Sequence, residues 1–337
     1  MVSLDFLLES WEYFIRDKRK RKDIQPFSRH LEDHLFEIQN ELMKLEYQHG
    51  QYHSFTVFDP KIRCISKASV KDRLIHQIIY ATLVELFDKR LIFHSFSCRL
   101  GKGVHQGTYS LRKMIGKVSR NGKRPCYALK MDIRKFFDNV NHDILKMLLR
   151  RVLKDEKILI IVDRIIDSFT SGSSKKGLPL GNVTSQLFAN IYLHELDLFI
   201  KHDNKEKYYV RYCDDCVILS EDRNHLLSLI PSIALFLKDK LDLELHPKKV
   251  IIRSLHQGID FLGQIFFLHH KNIRTKTKQR IIKKLQRGHS EFEAGTMDAN
   301  SLHQRLQSYL GTLSHTNQHK LCVNLKNAFW TAPRLRE

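Results

Sequence analysis

The sequence predicts an α+β fold, with helices first, then strands interleaved with helices, then helices again. Three observations predict it. Apolar residues recur at helical spacing over 28–46 and 70–93. β-branched and aromatic runs bounded by turn residues fall between 127 and 268. The final segment, 269–337, returns to a helical pattern and is strongly basic. At roughly 100–200 residues per domain, 337 residues suggest about two domains or one lobed unit.

In chain order, residues 3–17 read as a short amphipathic helix, Arg16–Lys22 as a basic patch that is a solvated linker or a phosphate contact, and 28–46 as a helix with Leu31, Leu35, Ile38, Leu42 and Leu45 on one face. Asp59-Pro60 stops one segment, and Ile62–Ile65 is extended. Residues 70–93 carry Leu74, Ile75, Ile78, Ile79, Leu83 and Leu86 on a broad helical face. A glycine-rich basic loop, Arg99–His105, leads to a helix over 104–119 and an Asn121-Gly122 turn. Tyr127–Asp132 reads as a strand. Helices are expected over 141–153, capped by Asn141 or Asp143, and over 157–169. After a small-residue loop, 171–177, a long helix starts at Asn182 or Thr184 and runs to about Lys201. Residues 207–220 form a hairpin with Asp214-Asp215 at its tip, 224–241 a helix, and 243–252 and 258–268 strands.

Composition narrows the function. With 42% apolar and 28% charged residues, disordered and collagen-like classes are excluded. Lys and Arg number 57 against 37 Asp and Glu, a net charge of +20 that makes nucleic acid the first candidate partner. A generally basic surface is the plain alternative. There is no run of about 18 apolar residues to cross a membrane, and the start lacks the basic region and cleavage site of a signal peptide. Six irregularly spaced cysteines point to reduced thiols in a cytoplasm. Cys213 and Cys216 are half of a zinc motif whose second half is missing, so they read as small apolar strand residues.

The chemistry rests on carboxylates. Adjacent like charges at a hairpin tip, Asp214-Asp215, cost energy unless a cation neutralises them, and hard oxygen ligands suit Mg²⁺. A solvated Asp-Asp turn explains that pair equally well taken alone. Asp132, at the end of an apolar strand, changes the balance. A strand-end Asp plus a hairpin Asp pair is the minimum set for two metal ions about 3.5–4 Å apart, which clamp the attacking and leaving oxygens of phosphoryl transfer. A glycosidase would not account for the charge.

These residues resemble the reverse transcriptases. Asp132-Ile-Arg-Lys-Phe-Phe-Asp138 is similar to their first palm motif and Tyr212-Cys-Asp-Asp215 to their Tyr-x-Asp-Asp box, 82 residues apart between Asp132 and Asp214. His246-Pro-Lys-Lys249 resembles the motif whose lysine assists the leaving pyrophosphate. Phe261-Leu262-Gly263 resembles the primer grip. Lys61-Ile-Arg63, Asp72-Arg73 and Arg99-Leu-Gly-Lys-Gly103 resemble finger motifs. The likeness covers about residues 27–330. Leu180-Gly181-Asn-Val-Thr-Ser185-Gln186 has Leu where most members have Gln, and Gln where they have Pro. In this it resembles the enzymes of diversity-generating retroelements, although Cys213 stands where Met, Val or Ala is usual.

The resemblance implies a right-hand polymerase fold: an N-terminal helical extension over 1–52, fingers over 53–126, a palm with an antiparallel sheet over 127–268 (with finger and palm helices near 141–200), and a basic helical thumb over 269–337. It implies an RNA-directed DNA polymerase that copies a template-repeat RNA with errors at adenines to diversify a variable gene. The implied metal ligands are Asp132, Asp214, Asp215 and the carbonyl of Ile133, holding two Mg²⁺ ions with Mn²⁺ as a substitute. Lys249 is the implied proton donor. Lys61, Arg63, Phe137 (as steric gate), Leu180 and Gly181 bind the dNTP. Implied partners are the template RNA, the RNA/cDNA duplex and a small basic accessory variability protein, usually a pentamer. No membrane is involved, and the setting is the cytoplasm of a bacterium or phage-infected host. Two alternatives stay open: another bacterial reverse transcriptase (antiphage defence, retron or intron-like), and a catalytically silent RNA-binding protein on the same fold.

Overall fold

The computed structural model describes residues 3–59, 61–172 and 174–330. Residues 1 and 2, Pro60, position 173 of the small-residue loop and the last seven residues of the segment expected to form a thumb lie outside them. Helices α1 (Leu4–Phe14), α2 (Ile24–Arg29) and α3 (Leu31–Met43) come first. The hairpin β1 (His53–Val57) and β2 (Arg63–Lys67) and helices α4 (Val70–Asp88) and α5 (Val104–Val118) follow. Next are β3 (Tyr127–Met131), the short α6 (Phe136–Asn139), α7 (His142–Val152), α8 (Glu156–Asp167) and α9 (Val183–Leu198). Then come β4 (Tyr209–Tyr212), β5 (Asp215–Ser220), α10 (Arg223–Leu241), β6 (Ile251–Ser254), β7 (Ile259–Phe261), β8 (Gln264–Phe266) and β9 (Lys271–Ile273). Helices α11 (Thr275–Glu293), α12 (Ala299–Ser314) and α13 (His319–Trp330) complete the described chain.

The α+β expectation holds. The four-stranded sheet runs β4-β5-β3-β6, with β3 and β6 antiparallel from Tyr127↔Ser254 to Lys130↔Ile251. The structure departs from the sequence reading in several places, among them strand β9 within the segment 269–337 expected to be helical. The helix expected over 28–46 is two, broken at His30. β1 was not expected, because its five residues are all exposed and show no core face. Residues 243–250 form no strand. The strand expected over 258–268 is the hairpin β7–β8, turned by Leu262 (φ 49°) and Gly263 (φ 83°). Of the two expected caps, Asn141 caps α7 by accepting from the Asp143 and Ile144 N–H groups.

Two compact units divide the chain. One comprises residues up to Gly107, Met131–Cys216 and Ser228–Val250. In it α9 is buried on most of its circumference and packs on α4, as expected of a central helix. The other comprises Thr108–Lys130, Val217–Leu227 and Ile251 onward. There α11–α13 close on a core of Ile281, Leu285, Leu302, Leu306, Leu313 and Phe329. Among the described residues no helix is long and apolar enough to cross a membrane, and all six cysteines are free.

Candidate active site

The two carboxylate motifs sit where chain geometry changes. β3 is apolar and its Ala128, Leu129 and Met131 are buried, so the strand delivers Asp132 at its end. The Asp132 carbonyl accepts from His246 N–H at 2.8 Å, and Arg134 N–H donates to the Glu244 carbonyl at 2.9 Å. These bonds flank the Ile133–Leu245 bridge and consume the polar groups of 132 and 134, leaving the Ile133 carbonyl outside that pairing. Asp214 lies in the turn between β4 and β5, next to Cys213 at φ 54°. Cys213 is therefore a strained turn residue, not the strand residue expected, whereas Cys216 is buried in β5.

The site is electrostatically tense. Burial first, and then the Asp132 carboxylate, push the Asp214 carboxyl above its ordinary range, while Lys249 pulls it down. The Lys249 ammonium stands 3.1 Å from both oxygens of Asp132. A tight turn holds it there, since Lys249 N–H donates to the His246 carbonyl. Two hard carboxylates that repel each other and already draw one cation are a donor set that fits a divalent ion. No three His, Cys, Asp or Glu side chains converge among the described residues. The protein's share of such a site would be one or two carboxylates, with substrate phosphates and water completing it.

A second set gathers around the loop before α9. Leu178 N–H donates to the Phe137 carbonyl (2.7 Å), and Ser66 N–H of β2 donates to the Leu180 carbonyl (3.0 Å). The loop thus ties Phe137, Leu180 and Gly181 to β2. Gly181 has φ 122°, and a Cβ there would lie 3.1 Å from Ile65 Cγ2, so only glycine is easily accommodated. Arg63 shares the Ile65 face of β2 by strand alternation. Lys61 and Arg63 are both exposed. Phe136 is buried in the core, while Phe137 is only half-buried with its ring 5.2 Å from that of Phe136.

Other residues take structural places. Arg73 pairs with Asp23 at 2.5 Å, Asp72 accepts from Tyr47 and Ser69, and Arg99 pairs with Asp88 at 2.6 Å. Phe261 is fully buried, so of the primer-grip residues only Leu262 and Gly263, in the second unit, are placed at a turn surface.

Sequence reasoning missed two features. Beneath the Asp214 turn, fully buried Arg211 forks onto Asp197 (2.7 and 2.6 Å) and donates to the Cys213 carbonyl at 3.2 Å. Tyr209 also donates to Asp197, and Asn190 accepts from Arg211 while donating to the Ser97 carbonyl. The signal was faint: an Arg two residues before Cys213 in an otherwise apolar strand. The other feature is Asn182, 3% exposed, whose amide makes no hydrogen bond to the described residues. Such a group costs about 1–3 kcal/mol, so polar residues are seldom left this way away from functional sites.

Comparison with known proteins identifies the family. The "Group II intron-encoded protein LtrA" of Lactococcus lactis subsp. cremoris is 23% identical over 270 residues, 60% of this chain and 44% of that protein. "Protein YkfC" of Escherichia coli K12 is 21% identical over 256 residues, 65% of each. The chain spans less than two thirds of the length of either relative. A solved telomerase from Candida albicans, in complex with a TWJ fragment of telomeric RNA, aligns at TM-score 0.51 and 12% identity over 81% of this chain and 56% of that one. That likeness speaks to the fold, the right-hand polymerase fold. The sequence profile described as "Reverse transcriptase (RNA-dependent DNA polymerase)" matches residues 49–266, well over half the chain. On that match, with Asp132 and Asp214 set within reach of each other's charge, the chain belongs to the reverse transcriptase family.

Proposed function

We propose that the chain is an RNA-directed DNA polymerase of the diversity-generating type, making cDNA with errors at adenines from a template-repeat RNA. The observation that carries the polymerase reading is the Asp132–Asp214 pair with Lys249 against it. We assign 53–126 to the fingers, 127–268 to the palm and 269 onward to the thumb, with 1–52 as an N-terminal extension. Mg²⁺, with Mn²⁺ as substitute, is the ion this donor set suits. Bound there, it would activate the attacking oxygen and stabilise charge on the phosphates. Asp132, Asp214, the Ile133 carbonyl and, as a neighbour, Asp215 would hold it.

The chain's own residues position the reaction. The primer 3′-hydroxyl attacks the α-phosphate, so no protein nucleophile is needed. Lys61 and Arg63 take the triphosphate, Arg63 from the Gly181 side of β2. Lys249, held beside Asp132, serves as the proton donor to the departing pyrophosphate. Phe137 presents a half-buried ring as the barrier to a ribose 2′-hydroxyl. Phe137→Ala is expected to raise ribonucleotide use relative to dNTP by about tenfold or more, as one removed steric contact is worth about 1–3 kcal/mol. Competition between rNTP and dNTP on one template measures it, and an unmoved ratio makes Phe137 a packing residue.

The diversity-generating subtype rests on Leu180 and on Ser185-Gln186. Leu180 can only pack, where an amide could hydrogen-bond the triphosphate-holding arginine, here Arg63. One such bond is worth about 0.5–1.5 kcal/mol, more to a charged partner, so its absence loosens discrimination by up to about tenfold. The physics accounts for looseness, and only the family resemblance points to adenine. Leu180→Gln is expected to lower misincorporation opposite template adenines several-fold. Sequencing cDNA from a defined RNA decides the matter. Accurate copying by the wild type would leave the second reading, an intron-like or other bacterial reverse transcriptase, which the likeness to LtrA favours.

A further inference from the structure

From Lys89 to Met131 the sequence has no Asp or Glu and eleven Lys or Arg. Three of these cations are neutralised: Arg99 by Asp88, Arg124 by Glu221, and Lys130 by Asp260. Others are gathered by helix α5. Its Leu111, Met114, Ile115 and Val118 are buried, so helical spacing puts Tyr109, Arg112, Lys113, Lys117 and, just past its end, Arg120 on the opposite side. With Leu268 and His269 they line an open cleft of about 750 Å³ within the second unit.

Among the described residues, none of these four cations meets a carboxylate. Arg112 donates to the His269 carbonyl at 3.3 Å, and the Lys113 ammonium lies 4.5 Å from the Tyr109 ring centre. Tyr109 is 55% exposed. Nearby Lys271 is pushed below the ordinary lysine range by burial and then by Arg112, a mark of unbalanced positive charge. Like charges held together without counter-charge cost free energy that an anionic ligand returns. From Tyr109 to Arg120 the helical rise covers about 16 Å, enough for several backbone phosphates. The lining offers four cations, one exposed ring and no carboxylate, which suits a nucleic-acid strand.

We propose that this cleft is a second RNA site, gripping the backbone of folded RNA outside the segment being copied. It rests on the polymerase reading for the identity of that RNA, as part of the enzyme's own template transcript, and recognition is by charge and stacking.

The test uses the full chain and a labelled RNA hairpin with a paired stem, read by fluorescence anisotropy over a salt series. A triple variant, Arg112→Gln, Lys117→Gln and Arg120→Gln, should bind the hairpin at least about tenfold more weakly, with a salt slope smaller by about 2–3. It should still extend a primer on a short unstructured template at the wild-type rate. Lys117→Glu alone, on the exposed face, carries the same binding test if the triple variant does not fold. Unchanged hairpin affinity and slope overturn the proposal. So does loss of short-template extension, which would place the cleft on the copying path. A polyglutamate peptide bound as tightly as the hairpin, and lost in the same variant, overturns it in favour of an acidic protein. A wild type that binds the hairpin through these residues but extends nothing leaves the cleft standing and removes the polymerase reading.

Discussion

Asp214→Asn is expected to abolish primer extension, by about 10³-fold or more, while raising the melting temperature of the metal-free protein. The two effects share a cause. Asp214 is held where burial and the Asp132 carboxylate both disfavour its charge. A carboxyl whose pKa rises on folding favours the fold while protonated, an advantage present below the ordinary carboxylate pKa and lost as the pH climbs through the raised value. Asn keeps the neutral shape at every pH, so the variant should be the more stable at pH 7. The same substitution removes half the charge that draws a divalent cation, and losing that stabilisation of phosphoryl transfer is worth several kcal/mol. Mg²⁺ should then stabilise the wild type in a thermal scan and leave the variant unmoved. Asp132→Asn should be equally inactive but close to neutral in stability, because its partner Lys249 is 43% exposed and water takes over. Retained cDNA synthesis by both variants would sink the assignment, and a lower melting temperature for Asp214→Asn would sink the electrostatic account of it.

Much of this site is legible in the sequence because its parts are local. An apolar strand ending in Asp132 and a hairpin tipped by Asp214 announce themselves by alternation and turn chemistry. What escapes is whatever depends on partners far along the chain. Arg73 and Arg99 fall in segments that resemble finger motifs, yet Asp23 and Asp88 hold them in ion pairs. The hairpin β7–β8 was hidden because Leu262 carries a positive φ that leucine does not advertise. β1 was hidden because a strand exposed along its length has no buried face to set a period. A charged residue in a strand reads as solvated, since Lys, Arg, Asp and Glu are almost never fully buried unless paired. Arg211 is the exception that matters most.

Arg211→Met is expected to be strongly destabilising and inactive, and the way its stability is recovered separates two roles. Arg211 and Asp197 are both fully buried. Removing one member leaves an uncompensated charge in a low-dielectric interior, at a cost of about 3–5 kcal/mol. The melting temperature should fall by more than about 5 °C, taking roughly 2–4 °C per kcal/mol for chains of 150–250 residues as a guide. Replacing the ion pair and its hydroxyl, Tyr209→Phe with Arg211→Met and Asp197→Leu, removes both charges and leaves the Asn190 oxygen without its Arg211 donor. Buried ion pairs replaced by packed apolar residues are often neutral or stabilising, so most of the lost stability should return. Extension should not return with it. The Cys213 carbonyl would have lost the Arg211 donor that lies 3.2 Å away, at a residue held at φ 54° immediately before Asp214. A left-handed non-glycine residue costs about 1–2 kcal/mol and persists only where its surroundings fix it. Without that bond the turn should relax, and Asp214 should leave the position from which it acts alongside Asp132. Tyr209→Phe alone is the control: it loses its bond to Asp197 and a longer one to Cys216 Sγ (3.6 Å), but leaves the Arg211 donor to the Cys213 carbonyl in place, so it should extend normally. Thermal scans paired with primer extension on all three proteins decide the issue. If the triple variant regains both stability and extension, Arg211 serves the core only and the Asp214 turn holds itself.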